Sequence, residues 1–112
     1  MNTYLRNEIM RIMQGHKGRV NAMPRKDLLA HLQLFRPKLN DREMRDLYSG
    51  LPICSCEDGL FLPTSPEEVR EFREYIKKAW GPFVAHRRVV TIISFYPKLD
   101  PSEWKQPELP GM

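Results

Sequence analysis

Two short groupings in this sequence have residue types that could do chemistry: Cys54 and Cys56 as C-x-C, and Arg42 and Arg45 three residues apart. Thiolates are nucleophiles and soft metal ligands. A zinc site takes about four ligands, and His16, His31 and His86 share no ligand spacing with the cysteines. Two cysteines are also too few for a disulfide framework. The pair therefore reads as two small side chains on one strand face, reduced in a cytosolic setting, and no metal is expected. A Cys-His nucleophile would require one of these thiols to meet a histidine in space, and nothing in the spacing favours that. P-loop, dinucleotide fingerprint and H-E-x-x-H helix are all missing from the sequence. No catalytic residue, no enzymatic activity and no cofactor is expected. Arginines three apart share a helix face, and arginine pairs bidentately with guanine in the major groove. That is the chemistry these residues favour.

The charge supports a phosphate-bearing partner only mildly. The chain has 112 residues and a net charge of +4. Eight basic residues (Arg6, Arg11, Lys17, Arg19, Arg25, Lys26, Arg36, Lys38) face two acids (Glu8, Asp27) before Asp41, so the basic character sits at the front. A basic patch suits phosphates. The length points to one domain with a single modest core, burying roughly 65% of the unfolded chain's surface. No apolar run approaches the ~20 residues that span a bilayer. Met1-Asn2-Thr3-Tyr4-Leu5-Arg6 lacks the charged-then-apolar layout of a secretory leader, so the cytoplasm is the expected compartment. The aromatic residues form no RNA-recognition pattern.

The elements that must position the arginines follow from periodicity and caps. Leu5, Ile9, Ile12 and Met13 form the stripe of a first helix, with Arg6, Glu8 and Arg11 off it. Val20-Asn21-Ala22 reads as a short extended piece. Pro24 opens a second helix with Leu28, Leu29, Leu32 and Phe35 inward, ended by Arg36-Pro37. Asn40 and Glu43 form a capping box for a third helix, with Met44, Leu47 and Tyr48 inward and Arg42, Arg45 and Ser49 outward. Asp58-Gly59 between Ile53-Cys54-Ser55-Cys56 and Leu60-Phe61-Leu62 signals a hairpin. Alternation puts Ile53, Ser55, Leu60 and Leu62 on one face and Cys54, Cys56 and Phe61 on the other. Ser65, Pro66 and Glu68 start a fourth helix with Val69, Phe72, Ile76 and Trp80 as its stripe. Ile53, Leu60 and Leu62 are expected against Val69 and Phe72. Gly81-Pro82 bends the chain, and Phe83–Phe95 is expected to continue as helix, with a strand as the alternative because of the β-branched run Val89–Ile93.

Three helices followed by a β-hairpin wing are the winged helix-turn-helix order. Asp41-Arg42-Glu43-Met44-Arg45, Pro52-Ile53-Cys54-Ser55, Gly59-Leu60-Phe61-Leu62 and Thr64-Ser65-Pro66-Glu67-Glu68-Val69 resemble the motifs of small phage and prophage winged helix-turn-helix DNA-binding proteins of bacteria. The resemblance covers about the first eighty residues. It implies a mainly α fold with a β-hairpin wing: a winged helix-turn-helix over 1–80, a long kinked helical extension over 81–96 and a Pro-rich tail over 97–112. Three features depart from a typical binder: Pro37 in the turn between helices two and three, three acids in helix three, and the acidic wing tip Glu57-Asp58.

The expected function is non-enzymatic binding of double-stranded DNA, in transcription regulation or phage DNA replication. Arg42 and Arg45 would read bases in the major groove, and Arg25, Lys26, Arg36 and Lys38 would hold phosphates. The competing assignment is a solvated face, with Arg42 and Arg45 paired to Asp46 and Asp41. A second function class is a winged-helix protein-interaction module without DNA contact. There Phe83, Val90 and Ile93 would be buried by a second copy of the chain, the competing outcome being that the segment folds back over its own domain, and Trp104 in the tail would dock on a protein partner as an extended peptide.

Overall fold

A computed structural model describes residues 2–101. Of the expected 97–112 tail, residues 102–112 with Trp104 lie outside the described residues; its first residues form a 3-10 turn at Pro97–Leu99, with Leu99 packed against the chain's own hydrophobic core. Helices α1 (Asn2–Met13), α2 (Arg25–Leu32) and α3 (Asp41–Tyr48) precede the antiparallel strands β1 (Cys54–Cys56) and β2 (Gly59–Phe61), and helices α4 (Pro66–Trp80) and α5 (Pro82–Phe95) follow. The fold is thus mainly helical with one two-stranded hairpin after the third helix.

Caps set the helix starts as expected, with one difference. The Asn40 side chain accepts from the Glu43 amide at 2.8 Å while the Glu43 carboxylate accepts from the Asn40 amide at 3.1 Å. Ser65 accepts from the Glu68 amide at 3.2 Å. The Glu68 carboxylate does not return to its own cap. It accepts from the Thr64 amide at 2.8 Å and the Arg19 amide at 2.9 Å, which ties the α1–α2 connection to the start of α4. That connection contains a 3-10 turn at Arg19–Asn21 where an extended piece was expected, and it bridges to the second hairpin strand on either side of that turn, at Lys17 and Met23.

The hairpin lies between two hydrophobic clusters. Ile53, Leu60 and Leu62 pack with α1, α2 and α3, among Leu5, Ile9, Leu28 and Met44. Cys54 and Phe61 pack with Val69, Phe72 and Ile76 of α4 and with Ala85, Val89 and Ile92 of α5. The face assignment from alternation holds, but the expected contact of Ile53, Leu60 and Leu62 with Val69 and Phe72 is corrected. Cys54 and Phe61 make it, because α4 covers the opposite face. The pairing is Cys54 with Phe61, Ser55 with Leu60 and Cys56 with Gly59, so the turn is Glu57-Asp58 rather than Asp58-Gly59.

Gly59 is needed elsewhere. Its φ is +134°, and a Cβ there would sit 2.0 Å from the Met23 carbonyl oxygen. The α1–α2 connection crosses at that point and covers the outer edge of β2. Met23 and Leu60 exchange both backbone hydrogen bonds, at 2.7 and 2.8 Å, and Leu62 accepts from the Gly18 amide at 2.8 Å. An edge strand left bare would template pairing with other chains.

Three further expectations change. α2 stops at Leu32, and the chain turns through 33–36, leaving Phe35 46% exposed and outside the core. Glu8 is buried, not off the stripe; Arg11 and His31 hydrogen-bond its carboxylate, and the Arg11 bond holds its pKa below the ordinary carboxylate value. Beyond Trp80 the helix does not merely kink. Gly81 adopts φ 94° and ψ 168°, and α5 runs back along α4. The stripe that α5 buries on its own chain is Ala85, Arg88, Val89 and Ile92, with Ile93 half-buried beside it. Phe83 and Val90 fall on the other side of the helix and stay exposed.

The close crossing at Gly59 makes a sharp stability test. Gly59→Ala is expected to lower the urea midpoint strongly, because the new methyl meets backbone and the φ is one that L side chains avoid. Gly50→Ala, with no atom within 4 Å of the added Cβ, is expected to change it little. Equal midpoints for the two variants would remove the crossing from the account of stability.

Candidate nucleic-acid interface

The site is built on α3. Its first-turn acids Asp41 and Glu43 suit the positive end of the helix and bind back to α2 and the turn after it. Asp41 pairs with Arg25, and Glu43 approaches Arg36 at 3.8 Å. Two of the four expected phosphate contacts are therefore already engaged in exposed ion pairs. Burial works against the Arg25 charge, but the Asp41 hydrogen bond and neighbouring phenols outweigh it and raise its pKa. Lys26, Lys38 and Arg42 are exposed, and no ion pair holds them among the described residues.

Arg45 takes neither of the partners considered for it from sequence. Its guanidinium lies 5.0 Å from the centre of the Trp80 ring, a cation–π contact worth about 0.5–1 kcal/mol at an exposed site. The contact leaves Arg45 half-exposed and draws it toward the C-terminal end of α4. Trp80 was expected on the inward stripe of α4 and is instead 56% exposed, because the helix outruns the core and turns at Gly81.

Beneath Arg45 lies Arg88, which the sequence reading did not single out. It is 6% exposed. Its guanidinium carbon sits 5.6 Å from the Tyr48 ring and 5.2 Å from the Phe72 ring, and Nη2 donates to the Ile53 carbonyl at 3.0 Å. Burial pulls its pKa below the ordinary value. Its spacing from Ala85 and Ile92 would have placed it on the inward face of α5. Arg25, Lys26, Arg45 and Arg88 share one cleft of about 430 Å³, with Tyr48, Tyr75 and Trp80 as aromatic walls and Glu57-Asp58 at its edge.

The structure thus brings Arg25, Lys26 and Arg45 together on one cleft. Arg36 lines a separate depression with Arg6 and Glu43. Phe83 and Val90 lie on the outer side of α5. Ser55 and Cys56 reach the cleft wall, while Cys54 is enclosed and burial pushes its thiol well up from the usual value. No group of three or more His, Cys, Asp or Glu among the described residues could hold a metal ion. No described helix is long and apolar enough to cross a membrane. No family model, curated protein or solved structure matches the chain.

The two thiols should behave differently toward a disulfide-exchange reagent. In native protein at neutral pH, Cys56 is expected to react and Cys54 to remain protected until the chain unfolds, since thiolate fraction and access both control the rate. Two equally fast thiols would place Cys54 outside the second cluster.

Proposed function

We propose that the chain is a non-enzymatic, phage-type winged-helix DNA-binding protein, in which α3 enters the major groove and the protein serves transcription regulation or phage DNA replication. The reading is carried by one observation: the capped helix α3 turns Arg42 and Arg45 outward while Met44, Leu47 and Tyr48 are buried. Lys26 lines the same cleft as Arg45, and Lys38 is exposed two residues before the Asn40 cap, neither in an ion pair among the described residues. The order of three helices, hairpin and helix is compatible with the resemblance, and the strand-like segment at Met23 braces the hairpin as a third strand would. Two of the three acids of α3 are accounted for, since Asp41 and Glu43 serve the helix start and bind Arg25 and Arg36; the third, Asp46, is exposed and counts against phosphate contact on its side of the helix.

Binding to random duplex DNA as a function of salt tests it. Lys26, Lys38, Arg42 and Arg45 amount to about four phosphate-range cations, so a log–log slope of roughly −3 to −4 is expected. A slope steeper by about two would mean that Arg25 and Arg36 leave Asp41 and Glu43 for phosphates. Arg42→Ala is expected to cost about 1–3 kcal/mol at a preferred site and less on random sequence, whereas Lys38→Ala should weaken both alike. Charge reversal at Glu57 and Asp58 to lysine is expected to raise non-specific affinity at low salt if the hairpin tip lies near phosphates. No salt-sensitive binding at all would refute the proposal.

A second reading rests on α5. Phe83 is 89% exposed and shares the outer side of the helix with Val90, which favours a protein contact there. A second copy is one occupant, and it would set two α3 helices at fixed spacing, as a palindromic site requires. Sedimentation at micromolar concentration should then show a dimer that Phe83→Ser converts to monomer. A wild-type monomer near 13.2 kDa would exclude self-pairing.

A further inference from the structure

Arg88 has more hydrogen-bonding capacity and charge than its surroundings satisfy. A buried cation is costly unless it is paired and fully hydrogen-bonded. Arg88 makes one hydrogen bond, to a neutral carbonyl, and its Nε is buried with no partner. No carboxylate among the described residues pairs with it. Two other arginine Nε atoms are buried without a partner: that of Arg6, in a separate depression, and that of Arg25. Arg25 and Arg88 line the same cleft, with Lys26 and Arg45 beside them. Unpaired buried polar groups of this kind call for an explanation, and a bound ion is one.

The walls add a second property. Tyr75 and Trp80 are 41% and 56% exposed and line the cleft above the arginines. Arg45 lies over the Trp80 ring, and the aromatic surface of Tyr75 and Trp80 that stays exposed beside several guanidinium groups suits a ligand that is flat at one end and anionic at the other. Guanidinium forks match phosphate geometry, and any nucleobase offers a π-face for stacking. The volume of about 430 Å³ falls within the roughly 300–1,000 Å³ of ordinary small-molecule sites. Glu57 and Asp58, exposed at the edge, suit the hydroxyl groups of a sugar and oppose a polyanion lying across the mouth.

We propose that this cleft binds a free mononucleotide, its base stacked on Tyr75 and Trp80 and its phosphate held by Arg25, Arg45 and Arg88. The cleft shares Arg25, Lys26 and Arg45 with the proposed DNA-binding face, but Arg88 is too enclosed to reach a duplex backbone, so a change at Arg88 tests the cleft alone.

The test uses the full chain with Trp104→Phe, which leaves Trp80 as the single tryptophan. Trp80 fluorescence is titrated with AMP, GMP, adenosine and inorganic phosphate. Saturable quenching by at least one of the two mononucleotides is expected, about tenfold or more tighter than by adenosine or by phosphate alone, since the charged end supplies bonds that the nucleoside lacks. Arg88→Met is expected to abolish the advantage of AMP over adenosine while thermal unfolding remains cooperative. Should Arg88→Met fail to fold, Arg45→Ala, a half-exposed change, is expected to weaken the mononucleotide about tenfold. No saturable quenching into the millimolar range would overturn the proposal, as would equal affinity for AMP and adenosine in the unsubstituted cleft. A 5′-phosphorylated single strand binding more tightly than either mononucleotide would overturn it too, by assigning the cleft to a polynucleotide end.

Discussion

The fold depends on a hairpin of six paired residues that is buried on both faces. A two-stranded hairpin alone is marginal in water. Here Ile53, Leu60 and Leu62 belong to the cluster of α1–α3, and Cys54 and Phe61 to the cluster of α4 and α5. A slip of one residue would exchange the two faces and misplace both clusters together. The register is held at its outer edge by the Met23–Leu60 hydrogen-bond pair, and that pair forms only because Gly59 lets the Met23 carbonyl approach. The hairpin therefore couples two helical layers that would otherwise share little surface.

This arrangement explains what the sequence could and could not disclose. The starts of α3 and α4 were legible because a cap is a local contract between residues three apart, as between Asn40 and Glu43. The hairpin was legible for the same reason. Its faces were also legible, since strand alternation is strictly local, but alternation gives parity and not address. Both faces are apolar, so nothing local says which one meets α4. The turn was misplaced because glycine after aspartate is a turn signal, while Gly59 is required by a chain crossing from thirty-six residues away in sequence. Glu8 looked like a surface residue because its compensation by His31 comes from another helix. The outward direction of Arg42 and Arg45 was readable from the stripe of Met44, Leu47 and Tyr48. The stacking of Arg45 on Trp80 was not, because it joins two helices with the hairpin between them in sequence.

The acids of α3 illustrate how one residue serves two levels. Asp41 and Glu43 sit in the first turn, where negative charge favours the helix, and Glu43 also completes the cap. Their ion pairs to Arg25 and Arg36 then set the second helix and its following turn beside the third. Exposed pairs of this sort are worth about 0–1 kcal/mol, so they orient without locking. A phosphate approaching as proposed would compete with Asp41 or Glu43 at small cost. If α3 meets DNA as proposed, Asp41 and Glu43 would reduce the electrostatic pull of the face without forbidding contact, while the exposed Asp46 would oppose it.

Arg88 joins the two halves of the molecule through one side chain. It leaves α5, passes between Phe72 of α4 and Tyr48 of α3, and donates to the carbonyl of Ile53 just before β1. The bond accounts for one of its donors, because a buried carbonyl beyond the strand ladder needs a partner. The two rings account for part of its charge. Neither accounts for the choice of a cation. A buried ionic group is often replaceable by apolar side chains without loss of stability, and its neighbours on the inward face of α5, Ala85, Val89 and Ile92, are apolar. Stability alone would favour a residue like them. An arginine at this point, with one nitrogen unpartnered and the cleft beside it, is better explained by what it can bind than by what it holds together.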